Sequence, residues 1–493
     1  MWKQYLYLAP LVALVASALS FSCQAAEVLA AGTQIEIRLS VSSGSRTSHP
    51  GNPIQGVVIS PVFSKGRLMI PPGTLISGNI ESVERLGLGL RHLTAALQYR
   101  FDTLSWPNGT TTPISTQVVE VETGKEHVNA SGTIQGIHPT ASLSSSVAFY
   151  ALPILCMDPE LAAPVLGIKF MIARSPDPEI YFPAGTELFL KLTAPARINP
   201  PDVSSARLAP LSIAELANAH QILAKLPQQR TNRGRNHPSD LVNLLFLGDR
   251  AAIDRAFHAA GWSGAQGRSL TSIYRMYRCI VQRNNYSTAP MAKLTLNGLR
   301  ADAEYQKSLN TFSKRHHLRL WQQGGNNAWL SAATEDISYK FYRMHLTHAT
   351  DPLIDSERNK AVNDLALTGC LDAGTMMTRN LDNVEPPERS IMTDGRVAVV
   401  RFNSCQNPLT ISRESAISGP RARPRTVQIM VALRNDIVRS NPISLAFNTM
   451  EQVKQNESEK LNQSKFPLGS NRSGVRGLQS RIATRWARPS ILD

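Results

Sequence analysis

No apolar run in this chain reaches the roughly 20 residues that a bilayer-spanning helix needs, which argues against a polytopic membrane fold. Cysteine is scarce, five residues in 493. None stands in a CxxC pair or at zinc-ligand spacing, so a structural zinc site is disfavoured. There is no Gly-x-Ser-x-Gly elbow and no convincing serine or cysteine nucleophile. Gly264 and Gly267 lack the strand-to-helix context of a nucleotide loop. Acidic residues are short as well, 37 against 52 Lys and Arg, for a net charge of +15. The excess gathers at the far end, where Pro420 to Asp493 carries 13 basic side chains and five acidic ones. That segment reads as a solvated basic tail or as one drawn to an anionic membrane surface. Nucleic acid is disfavoured, because only Phe447, Phe466 and Trp486 offer stacking rings and they are scattered.

What is present is enough for two or three domains, with a hydrophobic content of 42% that is ordinary for a packed soluble chain. Residues 1–25 form a signal peptide in this reading. Lys3 gives the positive start, Leu6 to Leu19 is an apolar run broken by Pro10, and Cys23-Gln24-Ala25 puts small residues where a signal peptidase reads. Cleavage after Ala25 is expected, with lipidation of Cys23 as the alternative. Export to the periplasm or cell envelope follows, and it makes disulfides possible among Cys156, Cys279, Cys370 and Cys405. The expected pair is Cys370 with Cys405, since one follows the glycine that ends a helix and the other follows the strand Val397 to Asn403. Free thiols, or competition from Cys156 or Cys279, stand against it.

The expected fold class is α+β. Residues 27–198 read as a β-rich domain in which a turn-then-strand unit occurs three times. Ala31-Gly32-Thr33 precedes Ile35 to Leu39, Pro72-Gly73-Thr74 precedes Leu75 to Gly78, and Ala184-Gly185-Thr186 precedes Leu188 to Leu192. In each, glycine supplies a corner and the alternation fills one face of a sheet. Between the second and third copies, residues 147–173 form an apolar insert, read as a buried hairpin or as a membrane or subunit contact. The arrangement resembles the TrbI-like β-domain of scaffold proteins in bacterial conjugation machinery, which implies a scaffold rather than an enzyme. Residues 199–240 are a linker with one capped helix, Ser212 to Pro227, followed by a flexible basic connector. An uncertain extension, 406–455, holds a possible edge strand over Thr426 to Leu433, and 456–493 reads as a disordered basic tail.

Six of the 11 histidines fall between His237 and Cys405. Leu241 to Leu247 reads as a strand, followed by a helix closing at Gly261-Trp262. A second helix spans Leu270 to Gln282, with Ile273, Tyr274, Tyr277 and Ile280 or Val281 inward. The strand Arg315-His316-His317-Leu318-Arg319-Leu320-Trp321 follows, paired with Ala328 to Thr334. Then come Thr347-His348, Asp351-Pro352 and Asp355-Ser356-Glu357-Arg358. Together with Thr393-Asp394-Gly395-Arg396, these pieces resemble the LssY-like C-terminal domain family over 241–405. That resemblance implies a bacterial envelope protein, sometimes fused to membrane domains of phosphatidic-acid-phosphatase type, with no defined activity of its own. Where the family has two histidines after the threonine, this chain has His348 and then Ala349.

Alternation puts His317, Arg319 and Trp321 on one strand face and His316, Leu318 and Leu320 on the other. His317 with Arg315 and Arg319 forms a cationic strip that reads either as a solvated strand face or as a cradle for a phosphate or carboxylate. Asp351 reads as a helix N-cap, and Asp355 and Glu357 as first-turn acids beside Arg358. His345 and His348 are expected in the loop before that helix. The candidate ligand-binding set is therefore Arg315, His317, Arg319, His348, Asp351, Asp355, Glu357 and Arg358, for an anionic or lipid-derived ligand or an envelope protein. No cofactor is legible. The competing expectation is a metal-dependent phosphoesterase built on His317, His348 and Asp351.

Overall fold

The structure is a computed structural model. It describes residues 27–88, 92–137, 177–199, 208–225, 230–233, 237–324, 327–342, 345–379, 391–409, 424–440 and 487–493. The signal segment, Cys156, the apolar insert and most of the basic tail lie outside the described residues.

The first unit is a curled antiparallel sheet. Its main strands are β1 (Gln34–Leu39), β2 (Pro53–Val58), β3 (Leu75–Glu84), β4 (Ala96–Ser105), β5 (Thr116–Val121), β6 (His127–Val128), β7 (Thr133–Gln135) and β8 (Glu187–Leu192), in the spatial order β5-β8-β1-β2-β3-β4-β7-β6, and a short ninth strand, Thr111–Pro113, pairs with β4. Gly32, Gly73 and Gly185, ahead of β1, β3 and β8, sit at φ of 90°, 91° and 93°. The threonine after each returns its hydroxyl to a carbonyl three residues back, at 2.7 Å in every case. The three turn-then-strand copies are thus one local structure used three times. The sheet bends back on itself, so that Ile114 N–H donates to the Asp102 carbonyl at 2.8 Å and Thr116 Oγ1 to that of Phe101 at 2.7 Å. Ile35, Ile37, Leu97, Phe101 and Leu190 lie in its core.

The second unit is a mixed sheet. Its strands are β9 (Leu244–Leu247), β10 (Ser263–Gly264), β11 (Ala303–Lys307), β12 (Arg315–Gln323), β13 (Ala328–Tyr342), β14 (His345–Thr350), β15 (Leu371–Thr378) and β16 (Arg396–Phe402). The order is β10-β11-β12-β13-β9-β16-β15, with β14 on the end of β13; β9 and β16 run parallel. Five helices are described: α1 (Ile213–Ala224), α2 (Arg250–Ala259), α3 (Leu270–Gln282), α4 (Ile354–Ala366) and α5 (Arg425–Ser440). On β9, Leu244 and Phe246 face a core shared with α2 and α4, while Leu245 and Leu247 face one shared with α1. Each face of the sheet therefore has its own helical cover, the layering expected of an α+β fold. Cys370 and Cys405 form a disulfide with Cα atoms 4.8 Å apart.

Several local expectations are corrected. The connector after α1 includes two paired strands, Arg230–Arg233 and His237–Leu241. Residues 345–350 are a strand paired to β13, because the β12–β13 hairpin extends beyond Thr334 and offers them an edge. Thr426 to Leu433 belongs to α5 rather than an edge strand, with Val431, Arg434 and Asn435 buried at helical spacing. Helix α3 turns Ile273, Tyr274 and Tyr277 outward and packs through Met276, Cys279 and Ile280 on a small cluster with Tyr286 and Phe312. The last seven residues, within the expected disordered tail, are packed, with Arg488 and Ser490 buried.

Candidate functional site

Strand β12 has the alternation expected of it, yet both its faces are covered. His317 and Arg319 are 7% and 2% exposed, so the solvated-face reading fails. The cationic strip is engaged internally. Arg315 Nε donates to Asp336 Oδ2 at 2.9 Å and Nη1 to Gln306 Oε1 at 3.0 Å. Arg319 reaches Glu304 and Asp240, both at 3.2 Å, and the Ala292 carbonyl at 3.0 Å. His317 Nε2 pairs with Thr334 Oγ1 at 2.9 Å.

His317 and His348 both approach one carboxylate, Asp336 Oδ2, at 3.7 and 3.4 Å. Burial pushes the His348 imidazole down to about 4, against the pull of Asp336 and with help from Arg315. Burial likewise lowers His317. Asp336 would be raised by burial, but His317, His348 and Arg315 hold it at about 2. Asp351 lies at the start of α4. Its Oδ1 accepts the Leu353 N–H at 2.9 Å, where the chain turns into α4, and the N-cap position itself falls to Leu353. Among the described residues, the group of ligand atoms close enough to share an ion is Glu122, His316 and Glu335, all within 4.8 Å of one another.

The rest of the candidate set lies on α4. Its sequence, with Asp355, Glu357, Arg358, Lys360 and Asp364, resembles a solvated helix, but all of these except Asp355 are buried. Arg358 bridges Asp355 at 3.1 Å and Asp394 at 2.8 Å, and donates to the Arg396 carbonyl at 2.9 Å. Glu357 Oε2 meets His316 Nδ1 at 2.8 Å.

The reason for this burial is an ionic cluster between the two units, which sequence reasoning missed. Arg38 on β1 places Nε and Nη2 on Glu187 Oε1 of β8, at 2.8 and 2.6 Å, and Nη2 also on Asp364 Oδ1 at 2.8 Å. Lys307 joins Glu187 at 2.7 Å and Asp364 at 2.8 Å, and Lys360 joins the same two at 2.8 Å each. Trp262 Nε1 donates to Asp364 Oδ2 at 3.0 Å. The cluster continues through Arg488, whose guanidinium lies 3.2 Å from Glu36 and 2.8 Å from Glu122, over the Phe189 ring. His316 closes it, between Glu122 at 3.1 Å and Glu357 at 2.8 Å. Burial would lower this imidazole, but Glu357, Glu122 and Glu335 override it and raise its pKa to about 10, so it is a cation at neutral pH.

Counting His316, the cations Arg38, Lys307, Lys360 and Arg488 make five against six carboxylates, Glu36, Glu122, Glu187, Glu335, Glu357 and Asp364. Near-balance is what permits burial, since an unpaired charge in the interior costs several kcal/mol, roughly. The signal in the sequence was faint. Glu36 and Arg38 alternate with Ile35, Ile37 and Leu39, which is also the pattern of an ordinary water-facing strand face.

Residues 223–397 match the family model described as LssY C-terminus, so the chain carries an LssY-like C-terminal domain beside its β-rich unit. No curated protein matches it. Among solved structures, ComB10 of the Com type IV secretion system of Helicobacter pylori is similar at 12% identity. The overlap covers 36% of this chain and 94% of that one, at a TM-score of 0.21.

Proposed function

We propose that this is a non-catalytic binding or scaffold protein of the cell envelope, whose LssY-like domain is fixed rigidly to the β-rich unit. The observation that carries this reading is the fate of the candidate residues: Arg315, Arg319 and Arg358 each hold carboxylates of the same chain. A guanidinium so paired offers an incoming phosphate little unless a native ion pair is first broken. The envelope part rests on the signal-like segment and on the Cys370–Cys405 disulfide, which suits an oxidising compartment. Among the described residues, no helix is long and apolar enough to cross a membrane.

The metal-dependent phosphoesterase is the second reading, and Glu122, His316 and Glu335 are what favour it. Against it, Arg488 already supplies positive charge at Glu122. Elemental analysis of the purified chain, with a phosphomonoester turnover assay, separates the two. The scaffold reading expects substoichiometric metal and no turnover. Stoichiometric zinc or manganese, with turnover abolished by His316→Ala, would overturn it.

A further inference from the structure

Helix α3 carries a broad apolar face, and among the described residues only part of it is covered. Met276, Cys279 and Ile280 dock it on Tyr286, Ala289 and Phe312. At 100° per residue, Leu270, Ile273, Tyr274 and Tyr277 form a stripe adjoining the docked side, and they are 87%, 48%, 49% and 49% exposed. The helix does not depend on a covering partner to form. Ser269 and Ser272 close a capping box at its start, and Arg283 ends it in the left-handed region at φ 50°. Exposed large apolar side chains gathered in one stripe mark an interaction surface.

Charge identifies the partner. From Ser263 to Ala301 the chain has six cationic side chains, Arg268, Arg275, Arg278, Arg283, Lys293 and Arg300, and no acidic one. Arg268 is exposed just ahead of the helix and Arg278 follows Tyr274 around the helical wheel, whereas Arg275 lies on the far side, over the Tyr286 ring at 4.4 Å. A flat apolar stripe with two tyrosines, edged by arginine, fits the interface of an anionic bilayer. There the aliphatic groups enter the acyl boundary, the tyrosines lie at headgroup level and the guanidinium groups meet phosphate.

We propose that α3 is a peripheral membrane-docking helix, laid parallel to an anionic lipid surface through Leu270, Ile273, Tyr274 and Tyr277. The proposal rests on the envelope scaffold reading, to which it adds a lipid surface as partner. It also places anionic recognition on the outside of the LssY-like domain, away from the Arg315–Arg319 strip.

The test is co-sedimentation of the full chain with vesicles of phosphatidylglycerol and phosphatidylcholine, and with phosphatidylcholine alone. Other basic segments of the chain can also bind anionic vesicles, so the comparison between variants decides. The variant I273S/Y274S/Y277S is expected to bind at least tenfold more weakly than the unaltered chain. In R268E the lost arginine is worth about fivefold, from about 1 kcal/mol per cationic residue at such a surface. Both variants should keep the melting temperature, because the changed side chains face solvent. Equal binding by all three chains overturns the proposal, as does equal binding to neutral vesicles. A concentration-dependent dimer lost in the triple-serine variant, without any change in vesicle binding, would assign the stripe to a second copy instead and overturn it too. None of these outcomes bears on metal content or turnover, which test the scaffold reading separately.

Discussion

Two helices of this domain have 13 residues each and place them in opposite ways. Helix α4 is rich in charge and buried almost throughout, whereas α3 leaves an apolar stripe in the open. Composition alone would have exchanged their environments. What differs is the supply of partners: α4 lies where Arg38, Glu187 and Glu36 of the β-rich unit and Arg488 of the distal segment converge on it. Among the described residues, helix α3 meets a small cluster on its inner side. Burial of a charged helix is therefore a property of the assembled chain, and an exposed apolar face is a request for something outside it.

The sharpest way to break the comparison is to remove one charge from the buried helix. Asp364→Ala should destabilise by about 3–5 kcal/mol, because Arg38, Lys307 and Lys360 all lose a carboxylate partner. Urea unfolding midpoints check this. Tyr274→Ser on the exposed stripe should move the same midpoint by no more than about 0.5 kcal/mol. Between these extremes lies the covalent tie. Cys370→Ser with Cys405→Ser opens a loop with a separation of 35 residues and should cost roughly 3–4 kcal/mol on chain-entropy grounds, read in the same unfolding assay.

Acid and base should act on the interior and leave the stripe untouched. His316 has a raised folded pKa of about 10. Its contribution to stability is complete below the unfolded value of about 6.5 and is lost as pH rises from there through 10. His348 is lowered to about 4, so stability falls as pH drops from about 6.5 toward 4, where the unfolded chain takes up a proton that the native site refuses. Unfolding midpoints across pH should accordingly lose their alkaline limb in His316→Gln and have a shallower acid limb in His348→Gln. Identical profiles for the variants and the unaltered chain would contradict both assignments.

The parts of the fold legible in the sequence were those set by local geometry. The three Gly-Thr corners announced themselves because each needs a positive φ and a back-bonded hydroxyl within four residues. The β12 alternation and the positions of Cys370 and Cys405 at element ends were legible for the same reason. The candidate site was only half legible. Its residues were named, but their partners Asp336, Glu304, Asp394 and His316 lie 15 to 41 residues away along the chain, so a strip bound for the interior looked free to hold a ligand. The inward side of α3 was misassigned except at Ile280, because apolar residues at helical spacing run around the helix from Cys279 to Tyr274 and nothing local says which of them meet Phe312.

The central claim is that the interior charges bind the two units to each other. It is tested most directly by a double-mutant cycle between Arg38 of the β-rich unit and Asp364 of α4, using Arg38→Met and Asp364→Leu in urea unfolding. The account predicts a favourable coupling of about 1–3 kcal/mol, with the double variant less damaged than the sum of its singles. Strict additivity, within about 0.5 kcal/mol, would show that the two residues do not act on each other and would contradict it.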